Sequence, residues 1–328
     1  MNTKTTKRLL LTGALALSAL AFSPLAAAQS WPAAKPIRIV IAFGPGSASD
    51  IIARLLGERL SRALGQSVIV DAKPGAAGQI AAEHVAGSPA DGYTLFLTTN
   101  TTHSANPYLY KHLRYDPVKD FTPVSRIGYL PFLLLVNSQT PVKTLQELVA
   151  YAKANPAKAN YAYTSSTGQI AAAALSNYTD MKAVGVAYKS APEAVTSTLG
   201  GQVLFTILDF ATTKGAVSAG RLRPLAVTPK ERTSLAPELP AISEATHLKN
   251  FDLVAWIGLF GPANLPGPIT SRLHCELGKI MEAPDIKARL LALGTEPAVA
   301  DPAAFGDFVK AQLSVWAEYS RIAGMEPQ

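Results

Sequence analysis

The chain has 328 residues, 48% of them hydrophobic and 16% charged, with 30 Lys and Arg against 23 Asp and Glu for a formal net charge of +7. A chain of this length and apolar content buries a large core and divides into two domains. Its basic residues are scattered along predicted helix faces without interleaved aromatics, which excludes a nucleic-acid-binding surface. At the N-terminus, Lys4, Lys7 and Arg8 precede an apolar run over 9–22 and then Ala26-Ala27-Ala28 before Gln29. This is the pattern of a secretory signal peptide cleaved after Ala28. The run is too short to span a bilayer, and no comparable segment follows. Removing its three cations takes the formal charge from +7 to +4. Cys275 is the only cysteine, so no intramolecular disulfide can form, and no cysteine near the cleavage point offers a lipid anchor. The expectation is a free, periplasmic protein with Cys275 packed in the core of a helix over 268–281.

Residues 37–43 are almost all β-branched or apolar and predict a strand covered on both faces. A tight loop, Gly44-Pro45-Gly46-Ser47-Ala48-Ser49-Asp50, leads into a helix over 51–64. Gly44 and Gly46 suit a sharp turn, and Ser47, Ser49 or Asp50 can cap the helix. The free N–H groups and positive dipole end of such a helix make a site for a carboxylate or phosphate. The loop has no P-loop lysine, and Gly44-x-Gly46-x-x-Ser49 lacks the third glycine of a dinucleotide fingerprint, so nucleotide binding is disfavoured.

Strand-like and helical runs alternate onward: strands at 67–71 and 94–98 with a helix at 76–86, then a buried strand over 131–137. The helix at 144–155 opens with Thr144 and Glu147 at capping-box spacing. Strands follow at 160–163, 183–187, 203–208 and 222–227, with helices at 169–178 and 191–199. A last strand at 253–260 precedes helices at 268–281, 285–293 and 302–323. The alternation predicts parallel α/β sheets in two groups, with the C-terminal part returning to the first.

Ligands of open α/β sheets bind beyond the carboxyl ends of the strands. There the chain places small polar residues: 44–50, Thr98 to His103, Thr164 to Gly168, Tyr188-Lys189-Ser190, and Leu208-Asp209-Phe210. Any one cluster is an ordinary turn or cap. Five at corresponding positions describe a cleft that holds an anion through neutral hydrogen bonds and helix N-termini. The histidines 84, 103, 112, 247 and 274 have no metal-binding spacing, and no G-x-S-x-G occurs, so no metal, cofactor or catalytic residue is assigned. An exported hydrolase built from Ser47 or Ser49 with His103 and Asp209 stands as an alternative.

The chain resembles the extracytoplasmic substrate-binding proteins of tripartite tricarboxylate transporters, the Bug family. The resemblance spans nearly all of the chain after the leader. It rests on Trp31-Pro32, Lys35-Pro36, Phe43 to Asp50 with Ala53-Arg54, Lys73-Pro74-Gly75-Ala76-Ala77-Gly78, Ala90-Asp91-Gly92-Tyr93-Thr94-Leu95, and Tyr115 to Phe121. Gly200-Gly201-Gln202-Val203, Ala219 to Arg223, Ala226-Val227-Thr228 and Trp256 to Phe260 continue it. It implies a type II periplasmic-binding-protein fold, a Venus flytrap of two α/β domains closing on a small carboxylate. The expected division is a leader over 1–28, a first domain over 29–129, a second over 130–250, and a return to the first over 251–328. By the resemblance, Ser47, Ala48, Ser49 and Asp50 serve the first loop, with Asn100 and Thr101 beside them. Thr164, Ser165, Ser166 and Thr167 serve the second domain, and Asp209 orients a ligand group. Two departures stand out. Ser47 replaces a usual glycine, and the second-domain loop, usually YxSxGxGSxxH, is shortened and lacks its histidine. Tyr163 and Phe210 then become candidate walls for the ligand's body. The implied role is a monomeric receptor delivering a small carboxylate, most simply a dicarboxylate, to the membrane components of a transporter. A ligand-presenting partner of a membrane sensor is a second possibility.

Overall fold

A computed structural model describes residues 31–246, 248 and 251–327, so the predicted leader, its cleavage point and His247 lie outside the described residues. The run Ile37–Ile41 forms β1, buried at four of five positions because it is flanked on both sides by strands. Val68–Ala72 (β2) and Thr94–Thr99 (β3) pair with it in parallel. Beyond β3 the pairing turns antiparallel, to Ala255–Pro262 (β10), then Phe121–Leu130 (β4), then Glu296–Ala300 (β11). The first sheet thus runs β11-β4-β10-β3-β1-β2. In the second, Asn160–Tyr163 (β6) lies parallel to Val184–Ala187 (β7) and Phe205–Asp209 (β8). Phe132–Asn137 (β5) runs antiparallel to β8 and to Leu222–Val227 (β9), giving the order β7-β6-β8-β5-β9.

Both sheets are therefore mixed, which corrects the expectation of purely parallel ones. Among the antiparallel strands, β5 and β10 are those at which the chain enters the second lobe and returns to the first. It leaves the first sheet at Leu130, enters the second at Phe132, leaves that at Val227 and is back in the first at Ala255. Thr228 ties the two crossings together. Its N–H donates to the Phe132 carbonyl (3.0 Å), its hydroxyl accepts from the Phe132 N–H (3.1 Å), and its carbonyl accepts from the Leu253 N–H (3.1 Å).

Helices cover the sheets. Ala48–Leu64 (α1) buries Ile52, Ala53, Leu56 and Leu60, and ends at Gly65 in the left-handed region. Gln79–Ala86 (α2), Leu145–Ala154 (α3), Ser166–Thr179 (α4), Ala191–Leu199 (α5), Phe210–Ser218 (α6) and Ile242–Thr246 (α7) follow. The last three are Gly267–Glu282 (α8), Pro284–Ala292 (α9) and Pro302–Ile322 (α10). In α3, Thr144 accepts from the Glu147 N–H as its spacing predicts.

Four elements, β4, β11, α6 and α7, carried no sequence signal, and the helix predicted over 76–86 divides. Its first three residues, Ala76–Gly78, form a 3₁₀ turn with Ala76 at φ 46° and Ala77 at φ 50°, and α2 starts only after it. Cys275, expected in the core, is exposed. Helix α8 buries Leu273, Leu277, Ile280 and Met281, and Cys275 lies two residues from Leu273, about 200° around the helix.

Candidate functional site

The carboxyl ends of β1 and β3 in one lobe face those of β6, β7 and β8 in the other, and four helices begin between them. Each has a side-chain cap. Ser47 accepts from the Asp50 N–H (3.2 Å) at α1, Ser165 from Gly168 (3.3 Å) at α4, and Ser190 from Glu193 (3.4 Å) at α5. Asp209 caps α6, accepting from both the N–H and the hydroxyl of Thr212 (2.9 Å each). All four caps line one cleft of about 510 Å³. The sharp turn before α1 is made at Gly46, φ 81°, while Gly44 needs no left-handed angle. Leu130, Phe132 and Ala255, the residues at the lobe crossings, also line it. The wall has no arginine, and of its residues only Asp209 and Lys189 carry formal charge. N–H groups left free in a first helical turn, with the dipole behind them, favour an anion in such a space.

The structure brings eight of the thirteen predicted ligand-binding residues to this wall: Ser47, Ala48, Ser49, Thr101, Thr164, Ser165, Thr167 and Asp209. Five it does not. Asp50 turns back, accepting from the Gly46 N–H (3.0 Å) and pairing with Arg54 (2.9 Å), so it braces the loop from behind. Asn100 is fully buried and donates to the Thr167 hydroxyl (2.7 Å), while Ser166 donates to Asn106 (2.7 Å). These bonds, with Thr101 and Thr167 hydroxyls 3.2 Å apart, join the two lobes beside the cleft. Tyr163 lines a smaller chamber of about 210 Å³ with Tyr110, Gln169 and Met325; Ala77, Thr164, Ser165 and Tyr188 line both spaces. Phe210 packs instead against Gly294, where a Cβ would come within 2.0 Å of its own.

His103 is not at a loop tip. Residues Thr101–Ala105 form a buried π-helical turn, and the imidazole stacks on Phe260 with centroids 4.1 Å apart and meets Phe121 at 4.7 Å. Its Nδ1 bonds the Thr102 hydroxyl (2.9 Å), and burial pushes its pKa down to about 3. It is absent from the cleft wall, so the Ser-His-Asp arrangement that a hydrolase needs is not assembled. Burial raises the Asp209 carboxyl above its usual range, with the Thr212 hydrogen bonds opposing the shift. Among the described residues no group of three His, Cys, Asp or Glu could hold a metal ion.

The family described as "Tripartite tricarboxylate transporter family receptor" matches residues 52–322. The chain belongs to this family. It is 37% identical over 275 residues to a UPF0065 protein of Bordetella bronchiseptica, covering 84% of this chain and 81% of that protein. An R. palustris protein solved with adipate superposes with a TM-score of 0.87 at 32% identity, covering 91% of this chain and 100% of that one. The periplasmic binding protein BugD gives a TM-score of 0.84 at 29% identity, over 90% of this chain and 99% of its own. The fold is thus the two-lobed α/β architecture of these receptors. Among the described residues no helix is long and apolar enough to cross a membrane.

Two stretches of the receptor's wall have no residue among the thirteen assigned to the ligand from sequence, although Tyr188-Lys189-Ser190 stands among the five strand-end clusters. One is Pro74 to Gly78, where four successive residues, Gly75, Ala76, Ala77 and Gly78, take positive φ. Alanine there costs of order 1 kcal/mol per residue, a strain that belongs to sites where backbone geometry is used. The run Lys73 to Gly78 was visible as a family motif, but it read as a helix start. The other is Tyr188 to Pro192, whose Ser190 and Glu193 have capping-box spacing. The Glu193 carboxylate reaches back one residue further than in a capping box, accepting from the Lys189 N–H (3.1 Å).

Proposed function

We propose that this protein is an exported receptor that captures a small carboxylate, most simply a dicarboxylate, and hands it to the membrane components of a tripartite tricarboxylate-type transporter. The observation that carries the reading is the convergence of four capped helix N-termini on one arginine-free cleft between two lobes. One carboxylate sits at the Ser47-Ala48-Ser49 turn with Thr101. The other end sits against Thr164, Ser165 and Thr167, beside the helix that Asp209 caps. Neutral donors held by caps need no rearrangement to receive an anion, so affinity comes from preorganisation. Adipate in a protein 32% identical to this one supports a ligand of this chemistry.

The test is thermal unfolding of the chain lacking residues 1–28, refolded free of ligand, against aliphatic and aromatic mono-, di- and tricarboxylates. A specific ligand at one hundred times its Kd adds about 2.7 kcal/mol, a shift of a few degrees. One dicarboxylate producing it supports the reading. A flat response across the panel removes the carboxylate assignment.

A further inference from the structure

We infer that Lys189 sets the preference of this receptor for doubly charged over singly charged carboxylates, an inference that rests on the cleft being a carboxylate site. Helix ends and hydroxyls attract a carboxylate group, but they are neutral and reward the second charge of a ligand only weakly. A full charge on the wall distinguishes the two. Only Asp209 and Lys189 supply one, and they differ in availability. The Asp209 carboxylate is engaged by Thr212, both of its oxygens accepting from that hydroxyl. It opposes an anion and cannot select one.

Lys189 is the reverse. No carboxylate lies within ion-pair range of its ammonium group among the described residues. Its backbone is nevertheless fixed. The Lys189 N–H donates to Glu193 Oε2 while Ser190 accepts from the Glu193 N–H, so the two bonds hold the residue at the cleft edge. Five other charged groups on the first lobe's loops and strands, Asp50 with Arg54 and Asp71 with Lys73 and Arg38, are already paired with one another. A ligand's outer carboxylate therefore has one unpaired cation on the wall to meet. The side chain is exposed, so the contact is screened by salt.

The experiment is calorimetric titration of the leader-free chain with three matched pairs: adipate and hexanoate, succinate and butyrate, benzene-1,4-dicarboxylate and benzoate. Wild type, Lys189→Gln and Lys189→Arg are compared at low and high salt. The expected result is a wild-type preference for the diacid in a pair that binds. Lys189→Gln weakens the diacid about two- to fivefold and leaves the monoacid unchanged, the size of an exposed ion pair. It also flattens the salt dependence, and Lys189→Arg restores both. A simple packing defect would weaken diacid and monoacid alike, and that result overturns the inference. So does an unchanged diacid affinity in Lys189→Gln, or a wild type with no diacid preference, while carboxylate binding itself stands. Wild type binding none of the six overturns the carboxylate reading and this inference together.

Discussion

The Nε2 of His103 has no hydrogen-bond partner within a cage of Phe96, Phe121, Trp256 and Phe260. A cation there would be unsolvated, so the ring is held neutral with a pKa of about 3. Its folded value lies below the unfolded value of about 6.5, so the associated stability is fully present above pH 6.5 and is lost as pH falls toward 3. Each pH unit below 6.5 costs about 1.4 kcal/mol from this group alone. His103→Asn is expected to lower stability at pH 7 and to flatten the acid limb by close to one proton. Urea midpoints taken in steps from pH 7 to 4 measure it, and parallel curves for variant and wild type would contradict the assignment. At this scale the sequence named the right residue types at strand ends but not where they point. Ser47 and Asp50 were equal candidates on the page; one lines the cleft and the other braces it from behind, because a helix turns successive side chains through about 100°.

Helix α4 joins two jobs in its first turn. Thr164, Ser165 and Thr167 line the cleft, while Ser166 and Thr167 bond the opposite lobe. Ser165→Ala removes the acceptor of the Gly168 N–H and is expected to cost about 1 kcal/mol. Ser165→Asp keeps a good cap but places a carboxylate where the ligand's would sit. Its unfolding midpoint without ligand should stay near wild type while the ligand-induced shift disappears; a retained shift would argue against an anion at this turn. Elements with a strong local signal were legible: α1, α3, α5, β6 and β9 lie close to where periodicity and caps put them. Strand β4 was not, since Pro123, Arg126 and Gly128 break its alternation, and it is held as a strand by β10 and β11 on either side. Helix α6, with Thr212, Thr213 and Gly215, has poor intrinsic propensity and is secured by the Asp209 cap and by packing.

The connections between the lobes include the strand crossings pinned by Thr228 and the hydrogen bonds among Asn100, Thr101, Asn106, Ser166 and Thr167. Helix α10 adds another link, its Ile322 carbonyl accepting from Asn177 of α4 (3.2 Å). In the proposed receptor, closure around a ligand would strengthen the Asn100–Thr167 set while the crossings flex. Thr167→Val takes the partner from the buried Asn100 amide, a loss of about 1–3 kcal/mol in the closed form. Small-angle scattering should then give a larger ligand-free radius of gyration than wild type, with compaction recovered on binding and a weaker affinity. An unchanged radius and affinity would show that these bonds do not hold the lobes together.

The α/β class, the family and the capped glycine turn of the first loop were all readable from the order of residues alone. Those properties reside in local patterns: strand runs, caps and glycine turns that act within a few residues of one another. Other properties emerge only when the chain is folded: which strands run antiparallel, that His103 belongs to an aromatic core, that Tyr163 and Phe210 leave the main cleft, and that Asn100 and Ser166 bond across the lobes. Each of these depends on contacts between segments tens to hundreds of residues apart, where no local pattern records which side chain meets which.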